Sequence, residues 1–254
     1  VQACYAHESQ MEKLAAACGK SPVEIRLINA METGDVMITG QVMDSVAPVA
    51  ECIRQTDAIP LPREMGGNPH ELDLPGGSGL TAEKRHIKRG IGWGVSIKNI
   101  MYSEGFDDYS TARCRMDDGV VTLKFATSEV GQGFVTLAPQ IARSILGVDE
   151  VLLDTIDTGV GSAGSTSASR QTWMSGGAVK GACEMVRDRL LAQVAARHGL
   201  AASSLSIVDT EIVDASGAFR IDIAEAAQGL HLDETFEHHH RRTEDLDENG
   251  QGNA

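Results

Sequence analysis

No run in the chain approaches the roughly 18 consecutive apolar residues that a membrane-spanning helix requires, and Val1 to Gln10 lack the basic start and apolar stretch of a secretion signal. A membrane is therefore not an expected partner, and the cytoplasm is the expected compartment. Basic residues are in short supply: 22 Lys and Arg stand against 36 Asp and Glu, for a formal net charge of −14. A surface of that sign repels phosphate backbones and anionic headgroups, which argues against nucleic acid as a partner. Closely spaced cysteines are missing as well. Cys4, Cys18, Cys52, Cys114 and Cys183 lie far apart with no C-x-x-C, so a disulfide framework, a zinc site and an iron–sulfur site are all disfavoured. Reduced thiols, mostly in the core, are expected. Val1 is not an initiator methionine, and Asn249 to Ala254 ends in a Gly-rich polar stretch, the pattern of a segment cut from a longer polypeptide.

What is present is a globular chain of 254 residues, enough for one large domain or two small ones. Met11, Leu14, Ala15 and Cys18 follow the i, i+3, i+4, i+7 spacing of a half-buried helix, with Gly19 placed to end it. Ser21, Pro22 and Glu24 form an S-P-x-E capping box that opens a second helix. A third helix is expected over Val46 to Gln55, and the Pro- and Gly-rich run from Pro60 to Gly79 reads as a connecting loop at a domain boundary. Thr81 to Lys88 reads as a short basic helix, and the alternation of Ile91, Trp93, Val95 and Ile97 as a strand.

Thr111 to Met116 and Val120 to Ala126 flank Asp117-Asp118-Gly119, which predicts a hairpin. Its second strand leads through Ser128-Glu129-Val130-Gly131-Gln132-Gly133 into an amphipathic helix that starts near Phe134 and stops at Gly147. The pattern then recurs with other residues: a strand over Val151 to Asp157, a Gly/Ser/Thr-rich loop over Gly159 to Thr172, and a long helix over Trp173 to His198. A strand at Leu205 to Val213, a turn at Asp214 to Gly217, a brief helix near Ile221 to Gln228 and a strand at Leu230 to Glu237 complete an α+β reading, mixed sheets with packed helices.

A loop that delivers a strand into a helix leaves the first helical N–H groups unpaired at the positive end of the helix dipole, where anions bind readily. Both Gly131-Gln132-Gly133 and Ser165 to Ser169 are thus candidate sites for a phosphate or a polar heterocycle, although a lone G-x-G is more often only a tight turn. Known nucleotide fingerprints fail, because Thr136 stands where a dinucleotide motif needs its third glycine and no G-x-x-x-x-G-K-[ST] occurs.

The strings Glu129-Val130-Gly131-Gln132-Gly133 and Gly164-Ser165-Thr166-Ser167-Ala168-Ser169-Arg170-Gln171-Thr172 together resemble the paired pterin-binding segments in large subunits of the xanthine dehydrogenase/aldehyde oxidase family. Val1-Gln2-Ala3, Ser21 to Asp35, Lys88 to Gly92 and Asn249 to Asn253 resemble further segments of the same subunit, so the resemblance runs along the whole chain. It implies that residues 1–79 are the end of a first molybdopterin-binding domain with its connecting loop, and 80–254 the start of a second. Gln132 would hydrogen-bond the pterin, with Gly131 and Gly133 allowing its close approach. Ala168 and Ser169 would supply backbone beside the molybdenum and pterin, with Thr166 and Ser167 as neighbours, and Tyr102 would flank the substrate ring. Arg170 and Gln171 depart from the mammalian pattern, and the resemblance assigns them no role.

The implied reaction hydroxylates an electron-poor carbon with water as oxygen source, on a purine such as hypoxanthine or xanthine, or alternatively on an aldehyde or another N-heterocycle. Its general-base glutamate belongs to a motif absent from this chain, and no residue here is expected to bind the metal directly. FAD and 2Fe-2S clusters are implied on partner subunits or domains, in a dimer of heterotrimers when complete. An inert phosphate- or nucleotide-binding module and a purely structural scaffold are the alternatives from other classes. His238, His239 and His240 cannot easily converge on one ion, because consecutive strand residues point to opposite faces. Glu104, Asp107 and Asp108 read as a solvated turn rather than paired catalytic carboxylates, while Glu129 reads equally as a loop-holding or a site residue.

Overall fold

In the computed structural model, which describes residues 2–60, 91–96, 105–155 and 158–252, the chain divides into two units, Val1–Ile97 and Lys98–Ala254. Among its described residues the first holds three helices: α1 (Gln2–Ala17), α2 (Pro22–Ile28) and α3 (Val49–Asp57). The capping box forms as read, with the Glu24 N–H donating to Ser21 Oγ (3.1 Å) and the Ser21 N–H to Glu24 Oε2 (2.7 Å). Arg26, only 4% exposed, organises this unit. Its guanidinium donates to Glu8 Oε2 from both Nε (2.9 Å) and Nη2 (2.7 Å), to the Pro22 carbonyl, and to the Trp93 carbonyl (3.0 Å). One cation thereby ties α1, α2 and the 91–96 segment together.

Residues 91–96 do not form the expected strand. Alternation alone makes no ladder, and the Trp93 carbonyl is taken by Arg26 instead. The helix at 81–88 and the loop at 61–79 fall outside the described residues. Cysteines correct the reading too: Cys4, Cys18 and Cys52 are exposed, and only Cys114 and Cys183 are buried.

The second unit is built on a four-stranded sheet in the order β3-β2-β1-β7, from β1 (Tyr109–Asp117), β2 (Val120–Phe125), β3 (Val151–Leu153) and β7 (His231–His239). The β1–β2 hairpin closes with both Asp118 (φ +50°) and Gly119 (φ +85°) left-handed, the geometry that its Asp-Gly dipeptide favours. β3 pairs with β2 in parallel, Val121 opposite Val151, after a crossover through α4 (Phe134–Leu146). The long α5 (Met174–His198) packs on β1, β7 and α4. Alternate residues Ala112, Cys114 and Met116 of β1 and Val121, Leu123 and Phe125 of β2 are buried in one core with Ala178, Cys183, Val186 and Leu190 of α5.

α5 lies close to the sheet because its contact stripe is small. A Cβ at Gly181 would stand 2.2 Å from Phe236 Cδ1, and one at Gly177 2.5 Å from His238 Cδ2. The expected strand over Leu205 to Val213 is instead a hairpin of β4 (Leu205–Val208) and β5 (Glu211–Asp214), because Asp209 turns left-handed (φ +54°). β6 (Arg220–Asp222) was not expected; it ends at Asp222, whose Oδ1 caps α6 (Ile223–Ala226). No described helix is long and apolar enough to cross a membrane.

At the start of β1, His239 is held from two sides, Nδ1 against Asp107 Oδ1 and Nε2 against Glu237 Oε1, both at 2.9 Å, while Tyr109 stacks on its ring. The Asp107 carboxylate first, and Glu237 after it, raise the pKa of His239 above the ordinary histidine value. A raised value in the folded state contributes stability that is present below the unfolded pKa and is lost as pH rises through the folded one. The melting-temperature difference between wild type and Asp107→Asn is therefore expected to be largest near pH 6 and to close by pH 9, as scanning calorimetry at both pH values would show. Arg26→Met, which leaves the Glu8 carboxylate and three carbonyls without their donor, is expected to lower the urea unfolding free energy by about 3 kcal/mol.

Candidate functional site

β2 and β3 run parallel, so the loops that follow them leave the sheet at the same end. Open α/β arrangements bind ligands at the carboxyl ends of their parallel strands. Here one loop runs from residue 126 to Gly133, and the other, described at 154–155 and 158–173, contains a short 3-10 turn at Thr158–Val160. They touch: Thr166 Oγ1 donates to the Ser128 carbonyl at 3.4 Å. A pocket lined by Asp118, Gly147 and Ile223 opens at the hairpin-turn end of the sheet, away from both loops.

The first loop is shaped by its own carboxylate. Glu129 Oε1 accepts from the Gly131 N–H (2.8 Å) and the Gly133 N–H (2.9 Å), and Oε2 from the Val135 N–H (3.1 Å). Those backbone donors, Gly133 foremost, hold the Glu129 carboxyl below the usual glutamate range. Glu129 thus already supplies the negative charge that the start of α4 attracts, and holding the loop is what the residue does. Gln132 folds over the same turn, accepting from the Val130 N–H at 2.7 Å and donating to the Ser128 carbonyl at 2.9 Å. Gly131 (φ +99°) and Gly133 (φ +87°) adopt a backbone that L residues avoid, and a Cβ on either would meet nothing within 4 Å. Open space lies beside both.

The second loop is built around Arg170, a charged side chain with no exposed surface. Nε and Nη2 grip Asp108 in a two-point contact at 2.7 and 2.6 Å. Nη2 also donates to the Tyr109 carbonyl (3.1 Å), and Nη1 to the carbonyls of Ala163 (2.6 Å) and Ser165 (3.0 Å). All the N–H donors a guanidinium owns are therefore used. Gly164 sits against the cation, where a Cβ would come within 2.8 Å of Nη2, so a larger residue would displace the arginine. Beyond this anchor Ala168 (φ +54°) and Ser169 (φ +53°) are both left-handed, a conformation that costs a non-glycine residue roughly 1–2 kcal/mol. Consecutive strain of this kind persists only where flanking contacts impose it, and Arg170 is the next residue. Neighbouring Ser167 and Ser169 are exposed.

The start of α5 is closed by the chain as well, since the N–H groups of Met174 and Gly176 donate to the carbonyls of Arg170 and Gln171. Two helix starts that looked open to anions thus have donors in use. What the loops offer a ligand is neutral: glycine backbone with space beside it, the Gln132 amide, the hydroxyls of Ser167 and Ser169, and at Thr166 the lone pair left after its bonds to Gln171 and the Ser128 carbonyl. That donor set suits the amide-like edge of a polar heterocycle better than an isolated phosphate, and in this respect the residues fit a pterin.

The molybdopterin cofactor-binding domain model matches residues 78–254, which include both loops. This chain belongs to that family. It is 27% identical over 218 residues to the xanthine dehydrogenase molybdenum-binding subunit of Escherichia coli O157:H7, a match covering 84% of this chain and 27% of the relative. With the nicotine 6-hydroxylase large subunit of Paenarthrobacter nicotinovorans it shares 28% identity over 244 residues, 90% of this chain and 28% of that one. The fold is that of quinoline 2-oxidoreductase from Pseudomonas putida 86, with a TM-score of 0.63 at 20% identity over 96% of this chain and 33% of that structure. The chain spans between a quarter and a third of these proteins. The α+β molybdenum-cofactor fold and the molybdopterin cofactor of the family agree with what the two loop strings implied.

Several residues stand apart from the expected set. Tyr102 and Glu104 lie outside the described residues. His238 packs on α5 beside Trp173, and His239 faces the other way towards Asp107. Asp108 corrects the solvated-turn reading: at 2% exposure it is the buried partner of Arg170, 62 residues away, a pairing that only the tertiary fold creates. Asp108→Asn would leave that cation buried without a counter-charge, and is expected to reduce the unfolding free energy by about 3–5 kcal/mol in urea titration.

Proposed function

We propose that this chain is the part of a molybdenum hydroxylase large subunit that holds molybdopterin between residues 131–133 and 166–169. The observation that carries the reading is the meeting of two loops from parallel strand ends, one stiffened by Glu129 and the other by Arg170, with Gln132, Ser167 and Ser169 exposed on them. Gln132 would exchange its bonds to the Val130 N–H and Ser128 carbonyl for the pterin edge, and Gly131 and Gly133 leave the backbone uncovered for a close approach. Ala168 and Ser169 would present their strained backbone, Ser167 its hydroxyl and Thr166 its remaining lone pair, on the other side. Tyr102 is assigned to the substrate ring by the resemblance. Residues 1–79 would then close one cofactor-binding domain and 80–254 open the next.

When bound, the cofactor supplies the two-electron chemistry that places oxygen from water on carbon; the protein residues of this chain bind, orient and exclude water. A purine such as hypoxanthine or xanthine is the proposed substrate, supported by the similarity to xanthine dehydrogenase subunits. Aldehydes and other N-heterocycles are the alternatives within the family, in line with relatives named for nicotine, quinoline and aldehyde. Electrons would leave through 2Fe-2S clusters and FAD on partner subunits or domains, in a cytoplasmic dimer of heterotrimers. A phosphate-binding module is disfavoured, because the Glu129 carboxylate already accepts from the donors a phosphate would use at the first loop.

Elemental mass spectrometry of the complete polypeptide, purified with its partner subunits from a host that loads such enzymes, is expected to find close to one molybdenum per chain. Absence of molybdenum there would contradict the proposal. The 254-residue chain alone is expected to show no turnover of hypoxanthine, since the general base lies outside it.

A further inference from the structure

A set of buried polar side chains lies beneath the two loops and joins them through Thr166. Ser110 and Ser175 are 0% and 1% exposed, Thr127 is 2% and Gln171 is 7%. Ser175, in the first turn of α5, is the hub. Its Oγ stands 2.5 Å from Gln171 Oε1, 2.9 Å from Thr127 Oγ1 and 3.0 Å from Ser110 Oγ. A hydroxyl owns one hydrogen and two lone pairs, and an amide oxygen owns no hydrogen. Ser175 must therefore give its proton to Gln171, which obliges both Thr127 and Ser110 to donate to Ser175.

The Ser165 carbonyl, which can only accept, fixes the Gln171 amide. With Oε1 turned to Ser175, Nε2 faces the second loop and donates to the Ser165 carbonyl and to Thr166 Oγ1, each at 3.1 Å. Thr166, having accepted from Gln171, spends its own hydrogen on the Ser128 carbonyl. The path leaves the first loop at Thr127, crosses through α5 and the second loop, and returns to the first loop at Ser128. Every donor is used once and every link runs in one direction. Reversing either hydroxyl bond into Ser175 would leave two acceptors facing each other at the buried Gln171 oxygen.

We propose that Gln171 is a positioning residue: through this closed circuit with Ser175 and Thr127 it sets the register of the 164–169 loop against the 126–133 loop. Its amide is spent on Ser165, Thr166 and Ser175. The circuit holds no titratable group, so it differs in kind from the Arg170–Asp108 pair that fixes the second loop to β1. Arg170 determines the shape of one loop, and Gln171 determines where that loop lies relative to the other. The consequence for cofactor retention rests on the molybdopterin reading; the register itself does not.

The test is hydrogen exchange followed by mass spectrometry on the complete enzyme with its partner subunits, together with the rate of pterin loss after dilution, read by fluorescence of the oxidised pterin. Thr127→Val keeps the shape of the side chain and removes its proton. In it, amides in both 128–133 and 164–172 are expected to exchange about tenfold faster, and pterin to leave about tenfold faster, while β1, β2 and the body of α5 keep wild-type exchange. Gln171→Glu, which can no longer donate to the Ser165 carbonyl, is expected to do the same, and Thr127→Ser to restore wild-type behaviour. Unchanged exchange in 164–172 when the substitution is at Thr127 would overturn the proposal, as would a Thr127→Ser enzyme that behaves like Thr127→Val. A wild-type enzyme devoid of pterin would instead contradict the cofactor reading, and the exchange rates would still decide the circuit.

Discussion

A cation with no exposed surface has to be fully paired or the structure around it does not form, and Arg170 meets that condition through one carboxylate and three carbonyls. The carbonyls belong to Ala163, Ser165 and Tyr109, so the guanidinium prescribes the path of the second loop as well as its attachment to the start of β1. Gly164 follows from this, since nothing larger fits against the cation. So does the left-handed pair Ala168 and Ser169, the last turn before the anchor. Such a pair costs less stability to break on both sides than on one, and its value here is the geometry it imposes on a segment with little apolar burial of its own.

The two loops reach similar ends by opposite means. One uses an anion, Glu129, to satisfy the backbone donors at a helix start; the other uses a cation to gather backbone carbonyls. In both cases the charge is spent inside the protein, and the outward face is left with amide, hydroxyl and glycine backbone. A helix start flanked by glycines is usually read as an anion site. Here the chain carries its own anion, and the reading shifts from phosphate to a neutral heterocycle edge.

Much of the scaffold was legible because its signals are local. The capping box at Ser21 and Glu24, the left-handed Asp118-Gly119 turn, and the extents of α4 and α5 between Gly133, Gly147, Trp173 and Gly199 are each encoded within a few residues. Signals that depend on distant partners were not legible. Ile91 to Ile97 alternates like a strand, yet 91–96 form none, and Asp209 divides what looked like one strand between Leu205 and Val213. Asp108 looked like a turn aspartate because its arginine lies 62 positions later. Thr127, Ser110 and Ser175 carried no motif at all; their link appears only once β1, β2 and α5 are packed together. An aspartate or serine at a sequence position where the flanking pattern predicts burial is the one cue that could have flagged them.

The central claim is that both loops of this one chain face the same pterin. An experimental structure of the complete enzyme, purified with its partner subunits and its native cofactor, tests it most directly. The account predicts pterin density within hydrogen-bonding distance of Gln132 on one side and of the 166–169 backbone or hydroxyls on the other, with Glu129 and Arg170 keeping their internal contacts. Pterin held by only one of the loops, or by neither, would contradict it.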